Sequence, residues 1–297
     1  MTASGGDPPT GLVVVDKQAG WTSHDVVARC RRVFGQRRAG HAGTLDPDAT
    51  GVLLVGLGRA TRLLRFLTGL RKAYVGEVVL GVATSTLDAS GEVTGRWDMS
   101  SVGLEEVRRA AATLTGPITQ VPPMVSAVKV DGRRLHALAR EGIEVERAPR
   151  PIVVHRFDVR PGGEPGVFAV EVECSPGTYV RVLAADLGAS LGGGAHLRNL
   201  RRTAVGSFTV EDARPLDRLS ADDVLSPVEA LRDLELVVVD DEVVRHVARG
   251  LALDRIPLGV TGDGPWGLVD AHDRLLAVYE ATDTDRIRPA VVLEAAG

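Results

Sequence analysis

The stretch HAGTLDPDATGVLLVGLG, residues 41–58, sets an acid-bearing loop directly before an apolar run. Asp46 and Asp48 flank Pro47, and Gly43 and Gly51 bracket the loop. Pro47 fixes its own φ and biases Asp46 toward extended backbone, while the two glycines let another chain come close. Such a loop is a platform that can hold a carboxylate against a substrate. The same Asp-Pro-Asp triplet also satisfies ordinary turn chemistry, and the loop taken alone favours that reading.

Other uses of a glycine-rich loop do not fit the residues. A phosphate cradle needs G-x-x-x-x-G-K-[ST], whereas Arg59 follows the last glycine of GVLLVGLGRAT and no Lys-Ser/Thr pair is present there. A dinucleotide turn needs G-x-G-x-x-G, and GLGRAT lacks the third glycine. A metal site needs clustered ligands, but His41, His136, His155 and His196 are scattered singly, and Cys30 and Cys174 have no CxxC spacing. The expectation is a site without a metal.

Working outward from the loop, the chain predicts an α+β fold with no internal repeat. GLVVVDK (11–17) is a predicted strand, SHDVVARCRRVFG (23–35) a helix opened by Ser23 and closed by Gly35, and RATRLLRFL (59–67) another helix. KAYVGEVVLGVAT (72–84) alternates as a half-buried strand, and LEEVRRAAATLTG (104–116) is a helix stopped by Gly116 and Pro117. PIVVHRFDVRP and VFAVEVECS are strands joined through GGEPG, and TYVRVLAADLGASLG turns helical. Beyond about residue 230 the short runs LVVVD, WGLVD, LLAVY and AVVLE predict a small β-rich module. A chain of 297 residues fits two domains of this kind.

Composition is that of a globular protein, with 44% hydrophobic and 25% charged residues. No apolar stretch approaches the ~18 residues that span a bilayer. MTASGGDPPTG has neither a basic start nor an apolar run, and the sparse cysteines suit a reducing compartment, so a cytoplasmic protein without membrane contact is expected. The net charge of −4 conceals a division. Residues 1–209 hold 26 Lys and Arg against 20 Asp and Glu, whereas residues 210–297 hold 9 against 19. The basic excess is concentrated before residue 76, where Arg29, Arg31, Arg32, Arg37, Arg38, Arg59 and Arg62 are candidate phosphate contacts. A polyanion partner fits this part, although arginine-rich helices with merely solvated faces produce the same count.

Five stretches, taken together, resemble the TruB family of tRNA pseudouridine-55 synthases. They are GLVVVDKQAGWTSHDVV (11–27), GHAGTLDPDATGVLLVGLGRATRL (40–63), KAYVGEVVLGVATSTLDASGEV (72–93), QVPPMVSAVKVDGRRLHALAREGIEVERAPRPIVV (120–154) and CSPGTYVRVLAADLGASLGGGAHLRNLRRTAVGSF (174–208). They stand in the family's order and cover about two thirds of the chain. The resemblance implies a mixed, mainly antiparallel sheet with flanking helices, forming a catalytic domain over residues 1–230. A thumb-like insertion falls at about 120–150, and a PUA-like domain at 231–297. The implied activity is isomerisation of the T-loop uridine of tRNA, with base flipping and no cofactor, by a monomer. Asp46 is then the catalytic aspartate, Tyr74 the ring that stacks on uracil and moves the C5 proton, and Arg181 the partner of Asp46. His41, Tyr179, Leu200, Lys17 and Lys129 are implied substrate-binding residues, and Lys129, Arg133, Arg134 and Arg140 give the thumb its charge. Gln18, Val125, His136 and Pro176 depart from the family pattern.

These residue types suit the chemistry. The reaction breaks the bond from C1′ to N1 and joins C1′ to C5 of the same base, so the leaving group is also the nucleophile. A carboxylate can start it by covalent addition or by taking the C2′ proton, and a base must later remove the C5 proton. A carboxylate shut under a base stays ionised only beside a cation, and a guanidinium also aims it. Two other classes remain distinguishable. An RNA-binding module would be indifferent to Asp46, and a glycosidase would pair two acids across the scissile bond.

Overall fold

The computed structural model describes residues 8–126, 129–130, 132–135, 138 and 141–293. Among the described residues fourteen strands precede residue 216: β1 (Gly11–Lys17), β2 (Ala39–Ala42), β3 (Thr50–Leu57), β4 (Lys72–Leu80), β5 (Val82–Thr84), β6 (Val93–Arg96), β7 (Gly116–Gln120), β8 (Lys129–Val130), β9 (Arg133–Arg134), β10 (Arg150–Pro161), β11 (Val167–Cys174), β12 (Ala195–Val205), β13 (Phe208–Thr209) and β14 (Arg214–Pro215). Ten of them form one sheet in the order β14-β1-β3-β12-β4-β11-β10-β7, with β2 beside β3 and β13 beside β12. All its pairings are antiparallel except β1 with β14 and β12 with β3. The α+β expectation is met.

The apolar run that followed the loop becomes β3, buried from Gly51 to Leu57. Its side chains alternate between two cores, as the pleat requires. Leu53, Val55 and Leu57 join Val13, Val15 and the helix residues Val26, Val27 and Cys30 on one face. Val52 and Leu54 join Leu12, Val14, Leu63 and Leu67 on the other. A strand covered on both sides has no need of polar alternation, which explains the continuous apolar reading.

The C-terminal sheet joins Leu63 and Leu67 in covering the second face. It comprises β15 (Glu235–Val238), β16 (Leu253–Asp254), β17 (Trp266–Val269), β18 (Leu275–Ala281) and β19 (Arg286–Val292), ordered β15-β17-β18-β19-β16. Val269, Leu275, Val278, Val291 and Leu293 pack into the same core as Leu12 and Leu54. Trp266, Tyr279 and Ile287 turn inward to a core of their own, closed by Val247 of the helix Asp241–Ala248. At the rim, Arg59 donates to Leu293 O at 3.0 Å, Arg62 donates to Val292 O, and Arg65 pairs with Glu280 at 2.9 Å. These arginines of the basic segment thus bind the acidic module. No helix among the described residues is long and apolar enough to cross a membrane.

Several local features differ from the sequence reading. The cap of the first helix, Ser23–Val33, is Thr22, which forms a capping box with Asp25, because Ser23 is buried and bonded elsewhere. RATRLLRFL forms a 3₁₀ segment (Gly58–Leu63) followed by one α turn (Leu64–Thr68). The strand expected over 72–84 breaks at Gly81, whose φ is +83°. Central β12 carried no prediction, since His196, Arg198, Asn199, Arg201 and Arg202 obscure its alternation.

Candidate active site

The loop between β2 and β3 is fastened from beneath by three side chains. Lys17, fully buried at the end of β1, donates to Pro47 O at 2.8 Å, Ala49 O at 2.6 Å and Gln18 O at 3.1 Å. Burial pulls its pKa down to about 8, against the opposing pull of Asp46 and Asp48. Arg202 of β12, equally buried, donates to Val52 O at 2.7 Å and Gly43 O at 3.1 Å. Ser23 both donates to Leu45 O and accepts from Leu45 N, at 3.1 and 2.9 Å. Gly51 has φ +98°, and a Cβ there would lie 2.1 Å from Arg202 O, because β3 and β12 meet at that rung. The close approach that Gly51 allows is therefore to β12.

Held this way, Asp46 faces Arg181 on the helix Val180–Ser190. Arg181 is 4% exposed, and its Nε lies 2.9 Å from Asp46 Oδ2 and 3.6 Å from Asp88 Oδ2. Its Nη1 donates to Thr86 O at 2.8 Å and its Nη2 to Val125 O at 2.9 Å. Each nitrogen of the planar fork thus has an acceptor, so its aim at Asp46 is set. Burial raises the Asp46 carboxyl above the ordinary carboxylate range; Arg181 opposes the rise, Asp88 adds to it, and Lys17 opposes it.

Thr44, Asp46, Tyr74, Tyr179, Arg181 and Leu200 line one cleft of about 240 Å³. That is just under the roughly 300–1,000 Å³ of drug-sized sites and suits a single flat ring. Tyr74, 8% exposed, stands on β4 between Val172 and Arg202. Burial raises its phenol pKa, with Arg202 pulling the other way. Asp46, Arg181 and Leu200 also wall a second hollow of about 500 Å³, which Asp48 and Asp88 share.

The structure thus brings Asp46, Tyr74, Arg181, Tyr179 and Leu200 together. Lys17 supports the loop from below and presents no surface. His41 pairs with Val55 on β2, and its ring meets His24 edge-on at 5.6 Å. Its Nδ1 is buried without a hydrogen-bond partner, and burial pushes its pKa down to about 4. The Lys129 backbone pairs with Arg134 in a two-residue hairpin, but its side chain, like Arg140, lies outside the described residues. Among the described residues no group of three or more His, Cys, Asp or Glu is placed to hold a metal.

Three polar residues of the site escaped sequence reasoning. Asp88 is fixed by Thr86 Oγ1 at 2.6 Å and by Ser90 N at 3.1 Å; the sequence signal is the turn pattern Thr-Leu-Asp-Ala-Ser. Arg202 is hidden within an arginine-rich run. Lys72 donates to Thr68 O and Leu70 O at 3.0 and 2.8 Å beside the cleft, and burial brings its pKa down to about 8.

Comparison with known proteins gives a consistent picture. The model of the TruB family pseudouridylate synthase N-terminal domain matches residues 31–180, and that of the tRNA pseudouridylate synthase B C-terminal domain matches residues 181–234. The chain is 47% identical to the tRNA pseudouridine synthase B of Rhodococcus jostii, covering 95% of each chain. It is likewise 47% identical to that of Mycobacteroides abscessus, covering 96% of this chain and 97% of the relative. Among solved structures it resembles one chain of a Cbf5-Nop10-Gar1 complex, with TM-score 0.75 and 26% identity, covering 96% of this chain and 85% of that one.

Proposed function

The chain belongs to the TruB family of pseudouridylate synthases, and from that premise we propose that it converts the T-loop uridine of tRNA, position 55, to pseudouridine, with Asp46 as the reacting carboxylate. Isomerisation of a tRNA uridine is the activity its relatives are named for. The finer reading is carried by one observation. A carboxylate on a fastened loop meets a buried guanidinium at 2.9 Å on the wall of a cleft the size of one ring.

The roles follow from the geometry. Asp46 must be ionised to add to the ring or sugar, or to take the C2′ proton. Arg181 favours that form and fixes its direction, while Asp88 lies 3.6 Å from the same Nε that meets Asp46. Tyr74 supplies a flat apolar face for stacking and a phenol that burial keeps protonated, so it can take the C5 proton only by passing its own proton to a neighbouring base. A base inside a helical stack cannot reach a cleft whose floor is this buried, which supports extrusion of the nucleotide at a cost of a few kcal/mol. The basic charge before residue 209 supports docking of a polyanion. The segment 121–149, which leaves the sheet beside the cleft, supports a clamp on the RNA loop. The test is incubation with unmodified tRNA followed by mapping of pseudouridine, alongside Asp46→Asn. Product at another position, or turnover by the variant, overturns the reading.

A further inference from the structure

Gln120, the last residue of β7, is 3% exposed and belongs to none of the roles above. Its Nε2 donates to Tyr179 O at 3.1 Å, and its Oε1 accepts from Tyr179 N at 2.7 Å. A side-chain amide that meets both the N–H and the C=O of one residue reproduces a rung of a β-ladder between distant segments. A buried amide is costly unless both its groups are satisfied, and here a single residue's backbone satisfies both. Tyr179 opens the helix Val180–Ser190, no side chain caps that start, and Tyr179 O also accepts from Val182 N and Leu183 N. The latch therefore sits on the turn of helix that carries Arg181. The same segment touches Arg181 again through Val125 O, at 2.9 Å. Gln120 is the ladder partner of Arg150, so 121–149 leaves and re-enters the sheet at one rung, and Arg147 ties that exit to Pro122 O at 3.2 Å.

We infer that Gln120 is a positioning residue for the isomerisation, holding Tyr179 and, through it, the Arg181 guanidinium against the Asp46 carboxylate. The inference rests on the reading of Asp46 given above. Without the latch, Tyr179 and Arg181 can withdraw from Asp46, and a displacement of about 1 Å at such a group costs roughly 100-fold in rate. Asp46 is faced by Arg181 from the helix, Asp88 from the loop after β5, Lys17 from β1 and Tyr74 from β4. Arg181 and Lys17 favour the carboxylate and Asp88 disfavours it. Withdrawal of Arg181 therefore moves Asp46 upward, and the acid limb of the rate profile moves to higher pH. Simple loss of folded protein leaves that limb in place.

The experiment compares full-length Gln120→Met, of similar length but without hydrogen-bonding groups, with Gln120→Glu, which keeps the acceptor for Tyr179 N and loses the donor. Single-turnover rates on unmodified tRNA are measured across pH, with tRNA affinity and thermal unfolding beside them. The expected result for Gln120→Met is a rate loss of about 10- to 100-fold with affinity within about threefold, and an acid limb displaced upward. Gln120→Glu should fall between it and the parent. Parent-like rates, or losses that track the folded fraction with the limb unmoved, overturn the inference; if Gln120→Met does not fold, Gln120→Glu decides by the same readouts. Asp46→Asn run in parallel separates the two levels. Its turnover would strike the underlying reading, whereas an inert Asp46→Asn beside a parent-like Gln120→Met would strike only the latch.

Discussion

The loop at residues 43–49 and the seam behind β3 lie on opposite faces of one sheet and are held by different forces. The loop is fixed by directional bonds from buried cations and a buried hydroxyl to its backbone. The seam is closed by Val269, Leu275, Val278, Val291 and Leu293 against Leu12, Val14 and Leu54, a contact that depends on area and little on angle. Directional bonds set where Asp46 points; apolar area sets whether the sheet exists. Substitutions on the loop should therefore change rate, and those at the seam should change folding.

The largest effect expected is at the loop. Asp46→Asn keeps the size and loses the charge, so turnover on unmodified tRNA should fall by about 10³-fold or more while melting temperature stays near that of the parent. A large drop in stability instead would mean that the carboxylate is part of the scaffold, and the contrast between the two faces would fail.

Deleting residues 231–297 tests the other face. The six buried apolar side chains lost from the seam's core, Leu231 with the five of the C-terminal sheet, are each worth about 1.5–3 kcal/mol, so together they rival the ~5–15 kcal/mol that keeps a domain folded. The shortened chain should fail to unfold cooperatively and should aggregate. If it melts sharply and still makes pseudouridine, the two sheets are independent domains divided near residue 230, as the sequence suggested.

Arg181→Lys comes next. The charge remains, but an ammonium cannot serve Asp46, Thr86 O and Val125 O in one plane. A rate loss of about 10- to 100-fold with little change in tRNA affinity is expected. Because Arg181 holds the Asp46 pKa down against burial, a weaker hold raises it, and activity should disappear at a higher pH on the acid side. An unmoved acid limb would remove Arg181 from that task.

The two regions also differ in how far the sequence disclosed them. Asp46, Tyr74 and Arg181 stood in recognisable blocks, and their convergence follows from β4 and the helix Val180–Ser190 flanking β12. Asp88 was marked only by the local turn around it, which says nothing of Arg181, and Arg202 was hidden because nothing local marks a side chain whose partners lie far off in sequence. Lys17 was implied as a substrate-binding residue, and only the fold reveals that it is buried and faces the loop's carbonyls. At the seam, the short apolar runs after residue 230 announced strands, and GVLLVGLG announced only an apolar run. Nothing in either run said that each was the other's partner, since apolar contact carries no register in sequence.

Lys17→Met joins the two kinds of effect. Pro47 O and Ala49 O would lose their donor inside the protein, at a cost of about 2–4 kcal/mol, and the loosened loop should slow turnover as well. Stability loss with an unchanged rate would show that the loop keeps its shape without the ammonium.

The smallest effect expected is at the rim of the seam, from the double change Arg59→Ala and Arg62→Ala. Both guanidinium groups belong to the basic segment that suggested phosphate contacts, yet each donates to a carbonyl of the C-terminal sheet. Both side chains are exposed, so water can replace the lost bonds and the melting temperature should fall only slightly. The more telling measurement is the dependence of tRNA affinity on salt. Each phosphate contact removed lowers the slope of log affinity against log salt by nearly one. With both arginines turned to Leu293 and Val292, the slope should stay at the parent value. A slope reduced by about two would place these residues on the RNA. The seam's rim would then be part of the docking surface, and the separation between a face that binds and a face that folds would not hold at this edge.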